Sequence, residues 1–84
     1  MKAIWKYKIN PEMKLEIPKG AVVLSVQTQG DQPCMWVLVD SFNKNELRKF
    51  KVYGTGHQLP ENPGKYIGTF QVENGSLVFH LFEE

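Results

Sequence analysis

Two histidines, His57 and His80, one cysteine, Cys34, and one arginine, Arg48, are the scarcest chemically distinctive side chains of this 84-residue sequence. Histidine is the residue type whose ordinary titration falls near neutrality, so acid-base or metal chemistry has to begin with these two. Neither stands at metal-ligand spacing: the acid nearest His57 along the chain is Glu61, and His80 lies between Phe79 and Leu81. His80 reads as a hydrogen-bonded core or interface histidine. Cys34 has no neighbouring base, and its apolar run marks it as a buried, inert thiol. Glu83 and Glu84 are adjacent in sequence and do not form the opposed pair that general acid-base work in a cleft requires. The residues therefore yield no enzymatic constellation, no metal site and no cofactor motif. The expectation is a protein that is not an enzyme.

Tyr53-Gly54-Thr55-Gly56-His57 is the more informative segment. Glycines on either side of a threonine let backbone N–H groups come close to an anion, and Thr55 and His57 add side-chain donors, a chemistry suited to phosphate. The segment lacks the pattern and following helix of a P-loop or dinucleotide fold, and it equally describes a glycine turn closed by a hydrogen-bonding threonine. Just upstream, Lys44, Arg48, Lys49 and Lys51 face Glu46 alone. Arg48 suits bidentate phosphate contact and Lys49 adds charge, while Tyr53, Trp36 and Tyr66 offer ring planes for a base or ribose. Alternation puts Lys49, Lys51 and Tyr53 on one face, so Arg48 reaches such a ligand only from the strand end or from a neighbouring subunit. The candidate binding set is Trp36, Arg48, Lys49, Tyr53, Gly54, Thr55, Gly56, His57 and Tyr66.

Period-two patterns broken by turn residues must position this set. They predict strands over Ala3–Ile9, Met13–Ile17, Val22–Gln29, Cys34–Val39, Arg48–Tyr53, Tyr66–Val72 and Leu77–Phe82. Val22, Leu24 and Val26 are expected on one face of the third run, with Val23, Ser25 and Gln27 on the other. Cys34–Val39 is apolar on both faces and reads as a central strand. Gly30-Asp31 and Asn74-Gly75 mark hairpins, Asp40–Leu47 reads as a loop, and Gly54–Gly64 is the longest irregular stretch. The last strand is apolar on both faces, so it is either central or covered by another subunit. Seven short, mainly antiparallel strands predict an all-β fold, a compact sandwich or partly closed barrel forming one domain over residues 1–84.

Composition bounds the function classes. The chain is 42% hydrophobic and 23% charged with a formal net charge of +1, values of a small soluble domain. Residues 1–51 carry nine Lys/Arg and five Asp/Glu, while residues 52–84 carry one lysine and four glutamates. A pI near 7.9 argues against a dedicated DNA or RNA binder. The start, Met1 to Lys8, mixes lysines with aromatics and is neither a signal peptide nor a membrane span, so the expected location is the cytoplasm. With one cysteine and a thin core, a domain of this size gains stability by association, and a homo-oligomer is expected.

Ile4-Trp5-Lys6-Tyr7, Leu24-Ser25-Val26-Gln27, Trp36-Val37-Leu38-Val39-Asp40, Tyr53-Gly54-Thr55-Gly56-His57, Tyr66-Ile67-Gly68-Thr69-Phe70 and Leu77-Val78-Phe79-His80 together resemble a family of small phage and bacterial proteins. That family is similar in turn to phage anti-defence sponges that counter CBASS immunity. The resemblance implies a homo-oligomer in the host cytoplasm that binds a cyclic dinucleotide such as 3',3'-cGAMP without cleaving it. Two other readings compete with it. One is a small accessory or inhibitory protein docking a host or virion protein through a sheet edge or apolar patch. The other is a nucleotide-directed enzyme with His57 as general acid or base.

Overall fold

A computed structural model describes residues 1–84. The chain forms β1 (Lys2–Lys8), β2 (Glu12–Pro18), β3 (Val22–Gln29), β4 (Gln32–Asp40), β5 (Asn45–Gly54), β6 (Lys65–Val72) and β7 (Leu77–Glu83), with no helix. No helix is therefore long and apolar enough to cross a membrane. Two antiparallel sheets result, a three-stranded one in the order β1-β4-β3 and a four-stranded one in the order β2-β5-β7-β6. They stack as an unclosed sandwich, with β3 packed along β6 at one side.

Parity decides what fills the space between the sheets. Met35, Val37 and Val39 of β4 meet Met13 and Ile17 of β2, Phe50 of β5, Phe70 of β6 and Leu81 of β7 in one buried cluster. Burying each such side chain contributes about 1.5–3 kcal/mol, and truncating Phe50 to alanine would cost about 3–5 kcal/mol. β4 is central in its sheet, as its two apolar faces predict, and Cys34 on its outer side is buried. β7 is central too, between β5 and β6. This is the first of the two alternatives that its apolar faces allowed, and Leu81 of its inner face is fully buried.

Beyond shifts of one or two residues at strand ends, the structure differs from the sequence reading at three places. β5 begins at Asn45, because Asn45, Glu46 and Leu47 pair with Pro18, Ile17 and Glu16 of β2; the loop before it shrinks to a turn in which the Asn43 N–H donates to the Asp40 carbonyl. In β3 a bulge at Leu24 breaks the alternation, leaving Val22 and Leu24 exposed while Val26 packs on the core. A second bulge lies at Ile67 in β6, between the Tyr66–Phe82 and Gly68–Leu81 pairs. Gly68 is required there: a Cβ would sit 2.9 Å from Val26 Cγ2 of β3. This bulge shapes the outer face of the four-stranded sheet, since it re-aims the residues before it.

Candidate functional site

The outer face of the four-stranded sheet carries a cleft of about 320 Å³ lined by Tyr53 through His57, Leu59, Tyr66, His80 and Phe82. Each strand delivers its part by register. Tyr53 of β5 lies opposite His80 of β7, His80 opposite Thr69 of β6, and Phe82 opposite Tyr66. In a regular strand Tyr66 and Thr69, three residues apart, would face opposite ways. The bulge at Ile67 brings both to the outer face, and the Tyr66 hydroxyl lies 2.6 Å from Thr69 Oγ1.

A chain of hydrogen bonds follows from that placement. Thr69 Oγ1 lies 2.9 Å from His80 Nδ1, and His80 Nε2 lies 2.8 Å from Thr55 Oγ1. Thr55 Oγ1 in turn donates to the Val78 carbonyl at 3.0 Å. Thr55 Oγ1 thus stands within hydrogen-bond distance of both a main-chain carbonyl and the imidazole. His80 is half-buried on the outer face and hydrogen-bonded through both ring nitrogens, so of the expected hydrogen-bonded core or interface histidine the hydrogen bonding is present and the core position is not.

Aromatic rings form the walls. Tyr53 and Tyr66 each meet Phe82 edge to face with ring centres 5.6 Å apart, and Lys51 Nζ lies 5.7 Å from the centre of the Tyr53 ring. Gly54–His57 closes the far side as a turn: the His57 N–H donates to the Gly54 carbonyl at 3.1 Å, and Gly56 takes the positive φ of 83° that the third position of a type II turn requires. The His57 ring folds back against Gly54. The turn is a poorer anion cradle than its composition predicts. Its Thr55 N–H is taken by the Val78 carbonyl and its His57 N–H by the turn itself, so Gly56 supplies the N–H left free between them.

Tyr53, Gly54, Thr55, Gly56, His57 and Tyr66 of the sequence-derived set thus meet in one cleft. Lys49 lies on the same outer face but opposite Lys14 of β2, away from the cleft. Trp36 is on the other sheet, opposite Lys6 and Ser25, because its strand is β4. Arg48 is on the inner face beside Phe50. Its Nε and Nη2 hold Glu83 at 2.6 and 2.8 Å, and its Nη1 donates to the Ala21 carbonyl. Donation to the Glu83 carboxylate holds the guanidinium above its usual range. Arg48 is therefore a structural ion pair, spent within the fold and unavailable as the expected phosphate ligand. The sequence reading missed His80, Thr69, Phe82, Leu59 and Lys51. The shared parity of His80 and Phe82 was a signal for two of them; Thr69 depended on an invisible bulge.

An all-β sandwich with an aromatic, hydrogen-bonded cleft on one outer face is the class these observations define. The chain belongs to the family described as Domain of unknown function (DUF7352), whose model matches residues 1–84. No curated protein and no solved structure matches it.

Proposed function

We propose that this chain is a non-catalytic binding protein that sequesters a cyclic nucleotide signal, such as 3',3'-cGAMP, in the cleft beside His80. The observation that carries the reading is the meeting of Tyr53, the Gly54–His57 turn and Tyr66 with His80 and Phe82 around one hollow. Tyrosine and phenylalanine rings suit a stacked base, and the free Gly56 N–H, the His57 ring and Lys51 suit an adjoining phosphate. Lys51 replaces Arg48 in this assignment. The resemblance to phage sponges points the same way, and with it a site of action in the host cytoplasm.

The size of the cleft bears on assembly. About 320 Å³ is near the lower end of ligand pockets, enough for one base with its sugar. The second half of a cyclic dinucleotide would need cover from another copy, which gives the homo-oligomer a functional role. The test is thermal melting of the purified protein against a panel of cyclic di- and trinucleotides and ADP-ribose derivatives, followed by chromatography of the ligand released by heat. Ligand at 100 times its dissociation constant adds about 2.7 kcal/mol, a rise of about 10 °C or more in a domain of this size. Recovery of intact nucleotide supports sequestration, altered nucleotide indicates an enzyme, and no shift across the panel removes the reading.

A second reading has its own observation. Ile4, Val22 and Leu24 are 60%, 53% and 51% exposed on the outer face of the three-stranded sheet, around half-buried Trp36 and Leu38. Such a patch suits docking to another protein or to a second copy. A docking protein would retain a macromolecular partner in a pull-down and ignore nucleotides.

A further inference from the structure

We infer that Tyr66 determines specificity in the cleft by acting only as a hydrogen-bond acceptor, selecting a ligand edge that carries an N–H donor, such as the amino group of a base. This deepens the nucleotide reading and rests on it for the identity of the ligand. The argument is a count of protons along the chain Tyr66–Thr69–His80–Thr55–Val78. The Val78 carbonyl can only accept, and Thr55 has one hydroxyl proton, which it gives to that carbonyl. Thr55 Oγ1 must then accept from His80, so the imidazole carries its proton on Nε2. In a neutral ring Nδ1 is consequently an acceptor, and Thr69 donates to it. Thr69 has no proton left for Tyr66, so the phenol donates to Thr69.

Every hydroxyl proton in the chain is therefore spent, and each is passed toward His80 or Val78. Tyr66 is 53% exposed, and its oxygen offers the cleft lone pairs alone. A phosphate oxygen facing it finds no donor, whereas a base N–H facing it finds an acceptor. The main-chain carbonyl of Val78 fixes this polarity from the far end of the relay, because a carbonyl cannot reverse its role. The phosphate would sit instead toward Gly56, His57 and Lys51, on the other side of the cleft.

The test has two independent readouts. First, long-range proton-nitrogen correlation on 15N-histidine-labelled protein at pH 7.5, without ligand, reports which His80 nitrogen carries the proton. The expected result is a proton on Nε2 only; a proton on Nδ1, or on both nitrogens, overturns the inference. Second, calorimetry compares cyclic di-AMP with its N6,N6-dimethyladenine counterpart. The wild type should favour the amino form by about fivefold, the worth of one net hydrogen bond. Tyr66→Phe should lower affinity for the amino form to that of the dimethyl form and leave the latter unchanged. Thr69→Val frees the phenol proton, so the preference should shrink; equal weakening of both probes by Thr69→Val would mean a merely structural role and overturn the inference. Nε2 protonation with no binding of either probe overturns the adenine amino group as the edge Tyr66 selects, while the nucleotide reading falls only with the whole panel; binding of both probes without preference overturns Tyr66's role alone.

Discussion

The four-stranded sheet carries two polar clusters on opposite faces, both anchored on β7. On the inner face Arg48 of β5 grips Glu83 of β7, with side chains 17% and 16% exposed. On the outer face His80 of β7 links Thr55 and Thr69 beneath the Tyr53 and Tyr66 rings. Glu83 and His80 are three residues apart on one strand, and that odd spacing puts one between the sheets and the other in the outer cleft. Residue type alone points the wrong way, because arginine is the usual choice for phosphate. Parity overrides it: a guanidinium facing Phe50 must be paired inside the fold, and an imidazole facing outward lines a cleft with its two nitrogens held by Thr55 and Thr69.

The sharpest way to break this comparison is Arg48→Ala. It leaves Glu83 poorly compensated between the sheets and should cost about 3 kcal/mol, lowering the Tm by about 12 °C or more. Nucleotide affinity, measured by calorimetry well below the new Tm, should be retained. A loss of affinity with unchanged Tm would return Arg48 to the site.

Trp36→Glu probes the outer face of the other sheet, where the tryptophan is flanked by exposed Ile4, Val22 and Leu24. If this patch joins copies, a buried charge at its centre should weaken association by about 2 kcal/mol or more, read as a fall in mass by light scattering at micromolar concentration. The Tm of the isolated chain should change little. An unchanged mass would move self-association to a different surface, such as the free edges of β1 and β2.

Tyr53→Leu tests the cleft itself. Loss of one stacking plane should weaken nucleotide binding by about 1–3 kcal/mol, roughly 5- to 150-fold. Its edge-to-face contact with Phe82 is worth about 0.5–1.5 kcal/mol, so the Tm should fall by less than it does in Arg48→Ala. Affinity and stability are thus expected to separate in opposite senses for two residues of the same strand.

Much of the architecture was legible because hydrophobic alternation and turn residues are local signals. The runs around Met13–Ile17, Cys34–Val39 and Leu77–Phe82 occupy strands, and the Gly30-Asp31 and Asn74-Gly75 hairpins stand where their residues place them. Neither sheet assignment nor bulges are local. Trp36 joined the candidate set because nothing in its own neighbourhood says that β4 and β5 lie in different sheets. Thr69 was missed because only the pairing of Tyr66 with Phe82 and of Gly68 with Leu81 reveals the extra residue between them. The cleft residues legible in the sequence are those contiguous along it, from Tyr53 to His57, together with Tyr66 across the loop.

The smallest expected effect comes from Gly56→Ala, and it isolates the turn from everything else. An added Cβ meets no atom within 4 Å, so the substitution creates no clash, and its cost is confined to holding alanine at a φ of 83°. That is about 1 kcal/mol of stability, a Tm change of about 4–8 °C. If the turn relaxes to relieve the strain, the free Gly56 N–H rotates away from the cleft while the relay through His80 stays intact. Phosphate contact would then weaken without any change in the preference for an amino-bearing base. Affinities of the two adenine probes should fall together, by no more than about tenfold, with their ratio preserved. A changed ratio would mean that the Gly54–His57 turn and the Tyr66 relay are one recognition element, and that the phosphate and base sides of the cleft are not separable.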